Sequence, residues 1–266
     1  MHKTKKSQKY YIPHKSKHME KIVDSFLSLK RGKVLDIPSG NLWLTKILID
    51  NGFDCVADDI CYINITEEME RLDIEYNSSN LDEALPYEKE SFDYIICFAG
   101  LEHIANPYVA VKEFGRVLKK SGKLFVIIPN TLNFTSRLRF LINGSFSAFP
   151  HIMDTNEDYR HLHINPIFIS QFNYVCSEIG LEIIQVRSFD AIKLFYHIIA
   201  FLFLPLLLPI QRYFNRKFKN THIKKVLNSK NVLLNKSFFL VIEKKMIKPD
   251  KKCIGDFGKY PSIGID

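Results

Sequence analysis

The sequence predicts an α/β fold: a doubly wound, mostly parallel sheet with helices on both faces. Three observations lead there. Short apolar runs recur at "KVLDI", "FDCVADDI", "FDYIICFAG", "KLFVIIP", "LEIIQVRSF" and "SFFLVIEKK", and their length and β-branched or aromatic content suit buried strands. Helical stretches of about a dozen residues separate most of them, and that alternation means parallel strands joined by right-handed crossovers. The chain has 266 residues, 46% hydrophobic and 25% charged, enough to bury one large core.

Taken in order, residues 1–18 are basic and lack the apolar core of a signal peptide. In "MEKIVDSFLSL", Ile22, Val23, Phe26, Leu27 and Leu29 recur at near-helical spacing. "KVLDI" is the first strand. "LWLTKILIDNG" reads as a helix closed by Asn51-Gly52. The second strand ends in Asp58 and Asp59. Residues 62–91 are polar, with "EEMERL" a short helix. After the strand "FDYIICFAG" come a helix in "PYVAVKEFGRVLK", a turn at "KSG" and the strand "KLFVIIP". A polar, aromatic loop then precedes the helix "IFISQFNYVCSEIG" and the strand "LEIIQVRSF". The division expected is a basic arm over 1–18, a core over 19–190, an apolar and basic helical insertion over 191–235, a last strand over 236–246 and a tail over 247–266.

Charge is uneven along this plan. Residues 1–33 hold ten Lys/Arg and two acids, residues 34–189 twelve and twenty-two, residues 190–266 fifteen and five. The acidic centre argues against a nucleic acid lying across it. The basic flanks suit phosphates or an anionic membrane face. The five cysteines have no paired spacing, so they read as buried thiols of a reducing compartment.

In such a sheet a ligand binds beyond the C-terminal strand ends. The first strand ends at Asp36, the turn "DIPSGNL" follows, and Asp59 stands twenty-three residues after Asp36. An acid about 20 residues on is where ribose hydroxyls are held in dinucleotide sites. A pyrophosphate wants G-x-G-x-x-G at the turn, whereas here Pro38 and Leu42 leave Gly40 alone and proline withholds an N–H. The turn suits a phosphate-free adenosine whose cationic end meets Asp36.

"VLDIPSGNLWLTKIL", "VADDI", "LDEALPYEKESFDYIICFAGLEHIANPYVAVKEFGRVLKKSGKLFVIIPN" and "HINPIFISQFNYVCSEIGLEII" together resemble a class I S-adenosylmethionine-dependent methyltransferase of the small-molecule or polysaccharide-pathway type. The resemblance covers roughly residues 20–190 and the last strand. It implies a Rossmann-like sheet of seven strands and S-adenosyl-L-methionine as cofactor. It also implies cofactor contacts at Asp36, Pro38 and Gly40 in the turn, at Asp59 on the ribose, at Asn80 and Leu81 beside the adenine amine, and at Phe98 to Leu101 beside the methionine moiety. In this family the loop after the "LFVIIP" strand covers the acceptor, and His151, His161 and His163 lie in it with Asp154 and Asp158. Their spacing does not suit a metal ion, so none is expected. His163 is the favoured general base and His103 a second candidate.

Residues 194–210 are apolar apart from one histidine and include Pro205 and Pro209. Nine Lys/Arg and no acid lie between Asp190 and Glu243. A span needs about 20 apolar residues, so the stretch reads as a hairpin or helix in a membrane interface, or as a lid or dimer element. A strand that must rejoin the sheet argues against a single crossing.

The function expected is methyl transfer to a small or lipid-linked acceptor, with a sugar hydroxyl in polysaccharide or glycolipid synthesis foremost. The enzyme is expected in the cytoplasm, peripheral on the inner face of an anionic membrane, with no nucleic-acid partner and its oligomeric state open. Two rivals remain: a nicotinamide-dependent oxidoreductase, against which the missing glycines speak, and a non-catalytic membrane-bound scaffold.

Overall fold

A computed structural model describes residues 17–60, 74–150 and 162–245. The strands are β1 (Lys33–Asp36), β2 (Asp54–Asp58), β3 (Glu75–Asn77), β4 (Phe92–Phe98), β5 (Leu118–Pro129), β6 (Leu181–Ala191) and β7 (Asn235–Lys244). They form one seven-stranded sheet in the order β3-β2-β1-β4-β5-β7-β6. The first five strands pair in parallel, and β7 runs antiparallel between β5 and β6. The strand order reverses beside β1, so the β1–α turn opens at the switch point where ligands bind.

The helices are α1 (Lys17–Leu27), α2 (Trp43–Asp50), α3 (Pro107–Val117), α4 (Phe134–Asn143), α5 (Ile169–Glu178), α6 (Leu194–Asn215), α7 (Thr221–Leu227) and α8 (Asn231–Leu234). A strand's period of two sends alternate side chains to opposite faces. Leu35, Ile95, Leu124 and Leu240 enter one core with Val111 of α3, Phe172 of α5 and Leu204 of α6. Val34, Ile96, Phe125 and Phe239 enter the other with Phe26 of α1 and Leu48 of α2. Both faces are covered, which is why these strands read as continuous apolar runs.

Several expectations need correction. β3 ("EYN") is too short and polar to announce itself, as edge strands often are. The turn at "KSG" is an excursion within β5: Phe92 pairs with Leu118 but Tyr94 with Lys123, and Ser121 takes φ 61°. The segment after β5 is not all loop. Asn133 caps α4 by accepting from Ser136 N. The apolar stretch is one 22-residue helix, α6, not a hairpin. Each proline withholds one N–H from the carbonyl four residues earlier, and both prolines are exposed, so no buried group is orphaned. The basic arm up to residue 16, "EEMERL", the tail after 245, and His151, Asp154, Asp158 and His161 lie outside the described residues. Of the cysteines described, Cys55, Cys97 and Cys176 are free and buried.

Candidate active site

A cleft of about 520 Å³ opens at the switch point, within the usual range for a small-molecule site. Its floor is the β1–α2 turn. The Ile37–Pro38 peptide is cis, Gly40 takes φ 54° and Leu42 takes φ 60°. Leu42 therefore holds the left-handed conformation that glycine adopts without cost. Its side chain is 2% exposed and packs inward, so it does not enter the cleft. Pro38 leans the other way, onto Gly100: a Cβ there would lie 2.4 Å from the proline Cδ. Neither residue closes the turn.

The acids at this turn differ in their commitments. Asp36 is buried and accepts from Thr45 Oγ1 at 2.6 Å. Burial pushes its pKa up to about 7, against the Thr45 hydrogen bond, with Asp59 adding to the rise. Asp36 both steadies the first turn of α2 and lines the cleft. Asp58 is fully buried and spent on structure, accepting from Ser79 N at 2.8 Å, Ser79 Oγ at 2.7 Å and Tyr87 Oη at 2.5 Å. Asp59 is half-buried, lines the cleft and accepts from Gly40 N at 2.8 Å.

Pro38, Gly40, Asn80, Leu81 and Phe98 also line the cleft. Asn80 is partly engaged in its own turn: its amide donates to Glu83 at 3.0 Å, and its carbonyl accepts from Asp82 N at 3.0 Å. Leu101 corrects the expectation. It heads the 3-10 turn Leu101–His103 and is buried in the core beneath the cleft, because that turn points its first residue inward. Sequence reasoning missed Trp43, Ser39 and Asp82, which line the cleft. Asp82 clamps the next loop by accepting from Ala105 N at 3.1 Å and Asn106 N at 2.7 Å.

The two candidate bases come together across sixty residues of sequence. His103 lines the cleft, and His163 packs edge-on against it with ring centroids 4.7 Å apart. The strand-end turn and the segment after residue 161 are laced together: Glu102 O accepts from Ile164 N and Asn165 N, and Asn165 donates to Ile104 O and Ala105 O. His163 Nε2 stands 4.0 Å from Glu102 Oε1. Burial raises the Glu102 pKa to about 7, while burial and His103 lower that of His163. Glu102 Oε2 has no partner among the described residues. One carboxylate and two imidazoles within 4.8 Å are also a ligand set for a divalent metal, which residues so far apart in sequence do not announce.

The chemistry of the cleft fits S-adenosylmethionine. No Lys or Arg among the described residues lines it, so none of them offers a phosphate a counter-ion there. Asp36, Asp59 and Asp82 line it and suit ribose hydroxyls and a cationic sulfonium and ammonium. Trp43, Leu81 and Phe98 offer apolar surface to an adenine, and Ser39 Oγ is a buried hydroxyl without a partner among the described residues.

Comparisons with known proteins agree. A family model described as a methyltransferase domain matches residues 35–126. A ubiquinone biosynthesis O-methyltransferase of Coxiella burnetii is 28% identical over 182 residues, covering 66% of this chain and 73% of its own length. One from Glaesserella parasuis is 31% identical over 119 residues, covering 41% and 49%. Among solved structures, SAM-dependent methyltransferases of Methanosarcina mazei (TM-score 0.54, 15% identity, covering 85% of this chain and 98% of that one) and Archaeoglobus fulgidus (0.53, 14%, 86% and 91%) share the fold. Residues 35–126 thus match a methyltransferase domain, and the chain as a whole shares the fold of class I S-adenosylmethionine-dependent methyltransferases.

Proposed function

We propose that the enzyme methylates a hydroxyl of a lipid-linked acceptor at the inner face of the cytoplasmic membrane, with His103 as general base. One observation carries the choice of base. His103 Nδ1 lies 3.0 Å from Leu162 O. A carbonyl only accepts, so Nδ1 holds the hydrogen and Nε2 keeps the lone pair a base needs. His163 was the favoured base from sequence, but it is absent from the cleft wall. Its lowered pKa keeps it neutral beside His103, where a second positive charge would oppose proton uptake.

The cofactor, when bound, supplies a methyl group on a sulfonium and needs no activation. The protein's part is alignment, exclusion of water and removal of one proton. The hydroxyl proton passes to His103 Nε2, and the Leu162 carbonyl and the nearby Glu102 carboxylate offset the charge that develops on the ring.

The acceptor class draws on the relatives. Their name speaks for an O-methyl acceptor in ubiquinone synthesis, and nothing in the cleft favours the sugar hydroxyl expected from sequence. The lipid link draws on α6, which is long and apolar enough to cross a membrane but only 11% buried. Ala200, Leu204 and Gln211 face the protein, while Leu194, Ile198, Leu202, Leu206 and Ile210 form an exposed stripe at i, i+4 spacing. β6 and β7, on either side of it in sequence, are neighbours in one sheet. A helix lying in the interface suits that geometry better than a crossing. Arg212, Arg216, Lys217 and Lys219 follow its apolar part and suit an anionic surface.

The test is transfer from methyl-labelled S-adenosylmethionine into a bacterial membrane extract. The reading expects label in the organic phase, dependent on active protein. Label confined to water-soluble products overturns it.

A further inference from the structure

A second cavity, of about 450 Å³, lies where α4, α5, α6 and α7 meet. Leu132, Phe168, Leu207, Ile210, Phe214 and Leu227 give it an apolar wall. Into that wall the fold sets an arginine without a counter-ion among the described residues. Arg137 donates from Nε to Leu132 O and from a terminal nitrogen to Gln211 Oε1, both at 2.8 Å. No carboxylate among the described residues pairs with it. It is half-buried, and burial lowers its pKa, a sign that its charge is short of compensation, which is costly for a cation drawn out of water. Gln211 is 9% exposed, and its Nε2 has no partner among the described residues. The first turn of α5 lines the same cavity through Ile169 and Ser170 and carries no side-chain cap, so its backbone N–H groups face an anion's preferred place. Three donors of positive character converge on an apolar pocket beside the exposed stripe of α6.

We propose that this pocket holds the phosphate head of an anionic membrane phospholipid, gripped by Arg137, Gln211 and the start of α5, with the acyl chains running out along the apolar face of α6. The inference rests on the membrane-side reading above. Guanidinium binds phosphate in a forked geometry that a neutral headgroup cannot satisfy. The exposed stripe accounts for a chain that a free phosphate lacks.

The probe is dihexanoyl phosphatidic acid below its micelle concentration, titrated calorimetrically into the full chain, with dihexanoylglycerol and inorganic phosphate as controls. The full chain is expected to bind phosphatidic acid at least tenfold more tightly than either control. Arg137→Gln should lose at least tenfold. Gln211→Glu places a carboxylate 2.8 Å from the guanidinium and should lose as much while keeping or raising Tm, which guards against a variant that merely misfolds. Equal binding by both variants, or equally tight binding of inorganic phosphate, overturns the proposal. Flotation on vesicles of phosphatidylglycerol separates the two readings. A chain that binds the short lipid through Arg137 but does not float keeps the pocket and sinks the membrane reading. A chain that floats, with unchanged short-lipid binding in Arg137→Gln, does the reverse.

Discussion

At the cleft, Asp36, Asp58 and Asp59 each meet a donor of the protein: Thr45 Oγ1, Ser79 and Gly40 N. The acids stay in place because loops at the strand ends supply donors. Along α6 the balance is opposite. Leu202 and Leu206 are 73% and 60% exposed, and Arg137 is half-buried without an acid among the described residues. The first region holds its acids in place and presents them to a cleft whose chemistry suits a cationic adenosine. The second leaves apolar surface and positive charge open together, as a protein that meets an anionic lipid surface would. The demands of the fold do not account for the exposed stripe of α6, and the lipid-facing role proposed for it would.

The largest expected effect separates chemistry from both regions. His103→Gln keeps a polar side chain but removes the base. The rate should fall about 10²–10⁴-fold in kcat, with S-adenosylmethionine affinity and vesicle flotation unchanged. Stopped-flow or radiometric turnover checks it, and an undiminished rate removes His103 from the chemistry.

Leu202→Ser with Leu206→Ser breaks the α6 side alone. Fully burying each leucine is worth about 1.5–3 kcal/mol, so partition onto phosphatidylglycerol vesicles should weaken about a hundredfold or more. Tm should hold or rise, since neither side chain is buried. Flotation of the double variant at the level of the parent would return α6 to a lid or dimer role.

Asp59→Asn sharpens the other side. A hydrogen bond to a charged group is worth about 1.5–3 kcal/mol, so cofactor affinity should drop roughly 10- to 150-fold by calorimetry, with flotation unchanged. Asp58→Asn next door should instead lower Tm, because Asp58 holds Ser79 and Tyr87 and does not line the cleft.

This pair also marks how much of the site sequence could convey. Asp58 is the last residue of β2 and Asp59 stands just past it, and only Asp59 lines the cleft. The sequence favours Asp59 because of its distance from the turn. The expected strands are legible because both faces of the sheet are covered, which forces continuous apolar runs. β3 is not, because three polar edge residues carry no such signature. α4 is missed because its start depends on the Asn133 cap within a polar, aromatic stretch. The pairing of His103 with His163 depends on long-range backbone bonds between Glu102 and residues 164 and 165, which no local pattern encodes. Leu101 was placed at the cofactor by its position after the strand, and the 3-10 turn rotates it into the core.

A smaller effect tests the charge logic of the cleft. Asp36 has its pKa raised to about 7 by burial. A raised carboxyl is protonated below that value, and only its ionised form attracts a cation. Cofactor affinity should therefore rise with pH up to about 7 and level off above, falling at most about tenfold per unit below it. Asp36→Asn should flatten the profile. A pH-independent affinity in the parent enzyme would mean that the cation lies away from Asp36.

The smallest effect on the cleft is expected where the sequence departs most from a glycine-rich turn. At Leu42 two terms oppose. The left-handed backbone costs a leucine about 1–2 kcal/mol, which glycine would recover. Removing a buried leucine side chain costs about 2–5 kcal/mol, and this one is 2% exposed. The second term wins, so Leu42→Gly should destabilise by about 1–3 kcal/mol in urea unfolding. Because the side chain points into the core and not into the cleft, cofactor affinity measured below the unfolding range should change less than about twofold, within one hydrogen bond's worth. A more stable variant would show that strain, and not burial, dominates at this bend.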